Sequence, residues 1–153
     1  MTIDPSECIS TFQFTKYVFE ELTFKLNKKY HPNKEQNPVD LQFDIKTKIP
    51  SNCELSDKGW VILSCFIKND QSNEPPFELN AIMRGEFKTN VAVSKEKMQK
   101  FLELNGVTAM FPFLRSAITD LTRIGNLKPL LLPLINVGAL VRKNKKDHTK
   151  KEP

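Results

Sequence analysis

The feature of this 153-residue chain that most restricts its fold is Leu127-Lys-Pro-Leu-Leu-Leu-Pro-Leu-Ile135, an aliphatic run interrupted by two prolines. Pro129 and Pro133 forbid a continuous helix and hold the backbone extended. The run's six aliphatic side chains therefore fill the core or line a place where something apolar binds. Immediately before it lies the chain's best amphipathic helix, with Leu114, Ala117, Ile118, Leu121 and Ile124 at offsets of three and four. Pro112 suits a first helical turn and Gly125 a left-handed stop. The spacing predicts a helix from about Ala109–Pro112 to Ile124, with the rest of the chain built to pack on it.

The preceding residues follow a period of two. Phe12 and Phe14, then Tyr17 and Phe19, then Leu22, Phe24 and Leu26 alternate with polar residues, and the phase shifts twice. One long strand with bulges, or two segments meeting near Glu20 and Glu21, fits that pattern. Glu20 and Glu21 are expected on opposite strand faces, which denies them a shared catalytic site. Residues 27–38 are too long for a tight hairpin and suit a crossover. Val39 to Lys46 alternates cleanly, Trp60 to Phe66 is apolar at nearly every residue as in a strand covered on both faces, and Phe77 to Phe87 alternates again around Gly85. Ser94 caps a short helix, Lys95 to Leu104, with Gly106 past its end, and Asn136 can cap a last helix. The expected fold is α+β: a four-stranded antiparallel sheet with a crossover connection, followed by two main helices packed on one side.

Composition limits the function. The chain is 39% hydrophobic, enough for one core, set between a frayed segment 1–10 and a basic disordered tail 144–153, so the domain is expected over 11–143. No leader and no membrane-length apolar window occur, which predicts a cytoplasmic protein. Cys8, Cys53 and Cys65 form no close pair and are expected as reduced thiols; a zinc site including His31 is only arithmetically possible. His31 and His148 stand apart from any nucleophile, and no glycine motif cradles a phosphate. The expectation is no enzyme, no metal and no cofactor. Arg142 to Pro153 carries six basic and two acidic residues, hence four of the chain's five net positive charges. A solvated tail is the plainer reading, and nucleic-acid contact without interleaved aromatics the sharper one.

Phe111-Pro-Phe-Leu-Arg115, the helix ending at Gly125, Pro129-Leu-Leu-Leu-Pro-Leu-Ile-Asn136 and Ala139-Leu140 resemble the SecB protein-export chaperone family. That family shows a phenylalanine-proline-aromatic turn, an arginine, a glycine-ended helix, a proline-leucine loop and an asparagine opening the last helix. The likeness is specific here, looser from Phe12 to Phe87, and absent in the tails. It implies an ATP-independent chaperone that holds unfolded polypeptides in apolar grooves and assembles as a homotetramer, a dimer of dimers. Client contact would fall to Tyr30, Leu127, Leu130, Leu132, Leu134, Val137, Leu140 and Val141. Leu114, Ile118 and Leu121 would lie at the oligomer interface, or pack on the chain's own sheet. For docking to SecA the resemblance offers Glu20 and Glu21, but Lys25, Glu78 and Asn80 depart from the family's acidic and leucine positions. A dedicated client, such as the antitoxin of a toxin–antitoxin pair, is the alternative partner.

Overall fold

The computed structural model describes residues 10–30, 39–51, 54–69 and 74–149, with side chains described as far as Asp147. Cys8, Cys53, His31 and most of segments 1–10 and 27–38 lie outside these residues. Four strands, β1 (Phe12–Leu26), β2 (Gln42–Lys48), β3 (Leu55–Ile67) and β4 (Phe77–Ser94), form one antiparallel sheet in the order β1-β4-β3-β2. The β1–β2 connection crosses from one edge to the other, as the length of residues 27–38 requires.

The phase shifts in β1 are real bulges. Its pairing with β4 slips between Phe14 and Lys16 and again between Phe19 and Glu21. The second bulge overturns one expectation: Glu20 and Glu21 share the outer face, because the extra residue rotates the strand. Glu20 pairs with Arg84 at 3.0 Å, and Glu21 accepts from the Asn80 side-chain amide. On the same face, burial pushes Glu86 upward, yet the Thr15 hydroxyl, Lys16 and Lys88 outweigh it and hold the carboxyl below its ordinary range.

Along β4, Phe77, Leu79, Ala81, Met83, Gly85 and Phe87 turn to the core while Glu78, Asn80, Ile82, Arg84 and Glu86 do not. In β3 the core side is Val61, Leu63, Cys65 and Ile67. Its other side was expected to be covered, but Trp60, Ile62 and Phe66 remain partly exposed. The two rings among these carry a lysine ammonium instead: Lys58 Nζ stands 5.8 Å from the Trp60 ring and Lys68 Nζ 5.6 Å from the Phe66 ring. The clean alternation expected from Val39 enters the sheet only at Gln42.

One helical rod covers the core face. α1 (Lys95–Phe101), a π-helical stretch Leu102–Gly106 and α2 (Val107–Ile124) follow without interruption. Ser94 caps the start, its hydroxyl accepting from the Lys97 amide at 3.3 Å. The expected break at Gly106 is absent, since its φ of −61° and ψ of −49° are helical. Glycine stands there because a Cβ would meet Val61 Cγ2 at 2.9 Å. Gly85 likewise lets Met110 lie against the sheet, a Cβ being only 2.6 Å from its sulfur. Pro112 sits inside the helix rather than in a first turn.

The C-terminus of α2 also differs in detail. Gly125 has φ −70°, and the left-handed position falls to Asn126 at φ 56°. Leu127 N–H donates to the Thr122 carbonyl and Asn126 N–H to that of Arg123, the paired bonds of a Schellman stop. Gly125 is needed for room, as a Cβ would lie 2.6 Å from the Phe24 ring. α3 (Val137–Thr149) begins at Asn136, whose side-chain oxygen accepts from Ala139 N–H at 3.0 Å. It runs past the expected domain end at residue 143. The Asn144 side chain bonds both the N–H and the carbonyl of Ile45, at 3.1 and 2.8 Å, and so covers the outer edge of β2.

Candidate polypeptide-binding groove

The proline-leucine segment crosses α2 because two threonines in the helix stitch it down. The Thr122 hydroxyl, wholly buried, accepts from Leu130 N–H at 2.9 Å while donating back into the helix. The Thr119 hydroxyl is shared between the carbonyls of Arg115, 3.0 Å away, and Leu130, 2.9 Å away. These bonds satisfy an extended backbone that no strand pairs. From that anchor the side chains diverge. Leu132 is 0% exposed and plugs the core, whereas Leu131 is 66% and Leu134 89% exposed.

Between α2 and the second half of the segment lies an open groove of about 450 Å³. Phe111, Pro112 and Thr108 form one wall; Leu134, Ile135 and Val137 form the other. Arg115, Ser116, Thr119 and Asp120 supply its polar points. Asp120 is held by Arg123 at 2.8 Å. The lining is suited to laying an extended chain against aliphatic and aromatic surface, with few polar groups to dictate sequence.

Among the residues expected to touch a client, Leu134 and Val137 line this groove, and Leu127 and Leu130 are partly buried in the segment that bounds it. Leu132, at 0% exposure, and Val141, at 7%, belong to the core instead. Leu140 faces a second hollow of about 590 Å³ between β2 and α3, beside Leu41, Phe43 and Lys143. That hollow mixes Asp40, Asp44 and Asp147 with Lys46 and Lys68, a polar setting unlike the first. Tyr30 ends the described part of the crossover, its N–H bonded to the Asn27 carbonyl at 3.1 Å. Leu114 and Ile118 are 0% exposed against their own sheet, so they have nothing left to present to a second copy, and Leu121 is half-buried. Other exposed apolar side chains are Tyr17, Val18, Leu22 and Leu26 along β1 and Phe113 and Ile124 on α2, with Leu55, Val91 and Leu104 scattered elsewhere. The sequence reading missed Thr108, Ser116, Thr119 and Asp120. Threonines at an i, i+3 spacing within an apolar stripe were the available signal.

Residues 8–148 match the family model of the preprotein translocase subunit SecB. The chain belongs to the SecB family. Among SecB relatives, the protein-export protein SecB of Bartonella quintana is 29% identical over 102 residues, 67% of this chain and 64% of that one. The uncharacterized protein MJ0357 of Methanocaldococcus jannaschii is 28% identical over 153 residues, covering 97% of this chain and 94% of its own. In fold, the chain is similar to the Mycobacterium tuberculosis SecB-like chaperone Rv1957, solved in complex with a ChAD peptide from the Rv1956 HigA1 antitoxin. That likeness has a TM-score of 0.64 at 16% identity, over 82% of this chain and 88% of that chain. The SecB-like α+β architecture expected from the sequence is thus the one present. Among the described residues no helix is long and apolar enough to cross a membrane, and no cluster of three or more His, Cys, Asp or Glu residues is placed to hold a metal.

Proposed function

We propose that this SecB family member is an ATP-independent holding chaperone that receives an extended apolar stretch of an unfolded polypeptide in the groove between α2 and residues 127–136. The observation that carries this reading is the open groove beside Leu134, an aliphatic side chain left 89% exposed. A large apolar side chain entering such a groove gains about 1.5–3 kcal/mol. One groove binds loosely; several linked in an assembly hold a long chain by effective concentration. Aggregation of a denatured model protein, followed by light scattering, tests it. The chain at stoichiometric amounts is expected to suppress scattering and Leu134→Asp to lose most of that effect; no suppression by the unaltered chain would overturn the reading.

A client dedicated to this chaperone is favoured over service to SecA by one feature of the outer sheet face. Glu20 and Glu21, the acidic residues available for docking, are each engaged by β4, through Arg84 and Asn80. Farther along β1, Lys25 stands in register with Glu78, so a basic residue breaks the run of acidic ones. The peptide bound to the mycobacterial structure supports the same direction. Recovery of one peptide sequence, rather than many, from the protein purified from its host is the expected result.

A further inference from the structure

The groove contains one charged side chain that none of the described residues satisfies. Arg115 is half-buried on the α2 wall, near Phe111 and Pro112. Its backbone carbonyl accepts from Thr119. Among the described residues its guanidinium has no hydrogen bond, ion pair or ring contact. The carboxylate that shares the lining, Asp120, is already paired with Arg123. A guest that covers Arg115 with methylenes strips water from a permanent cation and returns nothing. A main-chain carbonyl repairs part of that loss. A carboxylate repairs more, since its two oxygens match the fork of N–H groups and the bond is charge-assisted. The chain's net charge of +5 adds attraction of the same sign at longer range.

We infer that Arg115 makes the groove selective for extended apolar segments that carry an acidic side chain, with the carboxylate set against Arg115 and the flanking aliphatic residues against Leu134, Ile135 and Val137. The inference rests on the groove being a polypeptide site. The test uses short labelled leucine-rich peptides bearing a single Glu, Gln or Lys, and measures fluorescence anisotropy against the full chain. The Glu peptide is expected to bind about tenfold more tightly than its Gln counterpart, and the Lys peptide most weakly. That order is expected to weaken with added salt, to persist in reduced form in Arg115→Lys and to vanish in Arg115→Met. Equal binding of Glu and Gln peptides, or a preference that survives in Arg115→Met, would overturn the selectivity while leaving the groove reading intact. If Arg115→Met does not fold, the comparison of Glu with Gln on the unaltered chain decides alone. Should no peptide bind, the groove reading falls and this inference with it; affinity that drops as chaperone concentration rises would assign the groove to a second copy and overturn the acidic guest.

Discussion

Cys65 lies at 0% exposure in the middle of β3, and burial pushes its thiol up to about 12 from an ordinary 9.0. The folded chain therefore keeps this proton at pH values where the unfolded chain loses it. Stability is unaffected below 9 and falls as pH rises from there towards about 12, by up to about 1.4 kcal/mol per pH unit. Urea unfolding across that window is expected to show the slope, and Cys65→Ala to flatten it even though the cavity lowers stability overall. Gly106 makes a steric case at the same scale. Alanine is the better helix former by about 1 kcal/mol in an open helix. Here its methyl meets a stiff, fully buried Val61 at 2.9 Å, and overpacking of that kind costs about 1–3 kcal/mol. Gly106→Ala is expected to lower the urea midpoint, and a raised midpoint would contradict the packing described.

At the level of elements, the last helix is short in apolar contacts and depends on particular polar ones. Asn144 bonds both main-chain groups of Ile45 and shields the edge of β2. Asn144→Ala is expected to speed hydrogen exchange at the Ile45 amide about tenfold while leaving the amide of Met83, in central β4, unchanged. The strands were legible in the sequence because one face of the sheet is wet, so period-two alternation survives; even the two bulges of β1 registered as phase shifts. The helix boundaries were less so. Gly106 carries the usual sign of a stop, but its purpose is set by Val61 on another element, invisible to local pattern. The groove was legible as a segment and not residue by residue. Leu132 and Leu134 are chemically identical, and which one is buried follows from where Thr119 and Thr122 pin the backbone at Leu130. Leu114 and Ile118 were assigned both to an interface and to the core, and periodicity alone could not separate the two.

Among the described residues of the whole molecule, one sheet edge is guarded and the other open. β1 pairs only with β4 among the described residues, and its 15 residues carry exposed Tyr17, Leu22 and Leu26 on the helix side and Val18 on the outer side, with Phe113 beside Tyr17 at a ring distance of 4.6 Å. An open edge of that length is a template for pairing. Sedimentation is expected to show more than one copy per particle, and Phe113→Glu to shift the distribution towards smaller species; a single-copy particle at every concentration would count against an assembled chaperone.

The two prolines of the segment that bounds the groove have one more consequence. Pro129 and Pro133 remove amide donors from the segment, so a visiting chain finds no continuous ladder along it on which to zip up as an extra strand. On the proposed function a guest would be held there by side-chain contact, whose aliphatic part tolerates small slips in alignment. Such a guest would be able to creep lengthwise through the groove or leave it piecemeal, without breaking a row of main-chain bonds all at once.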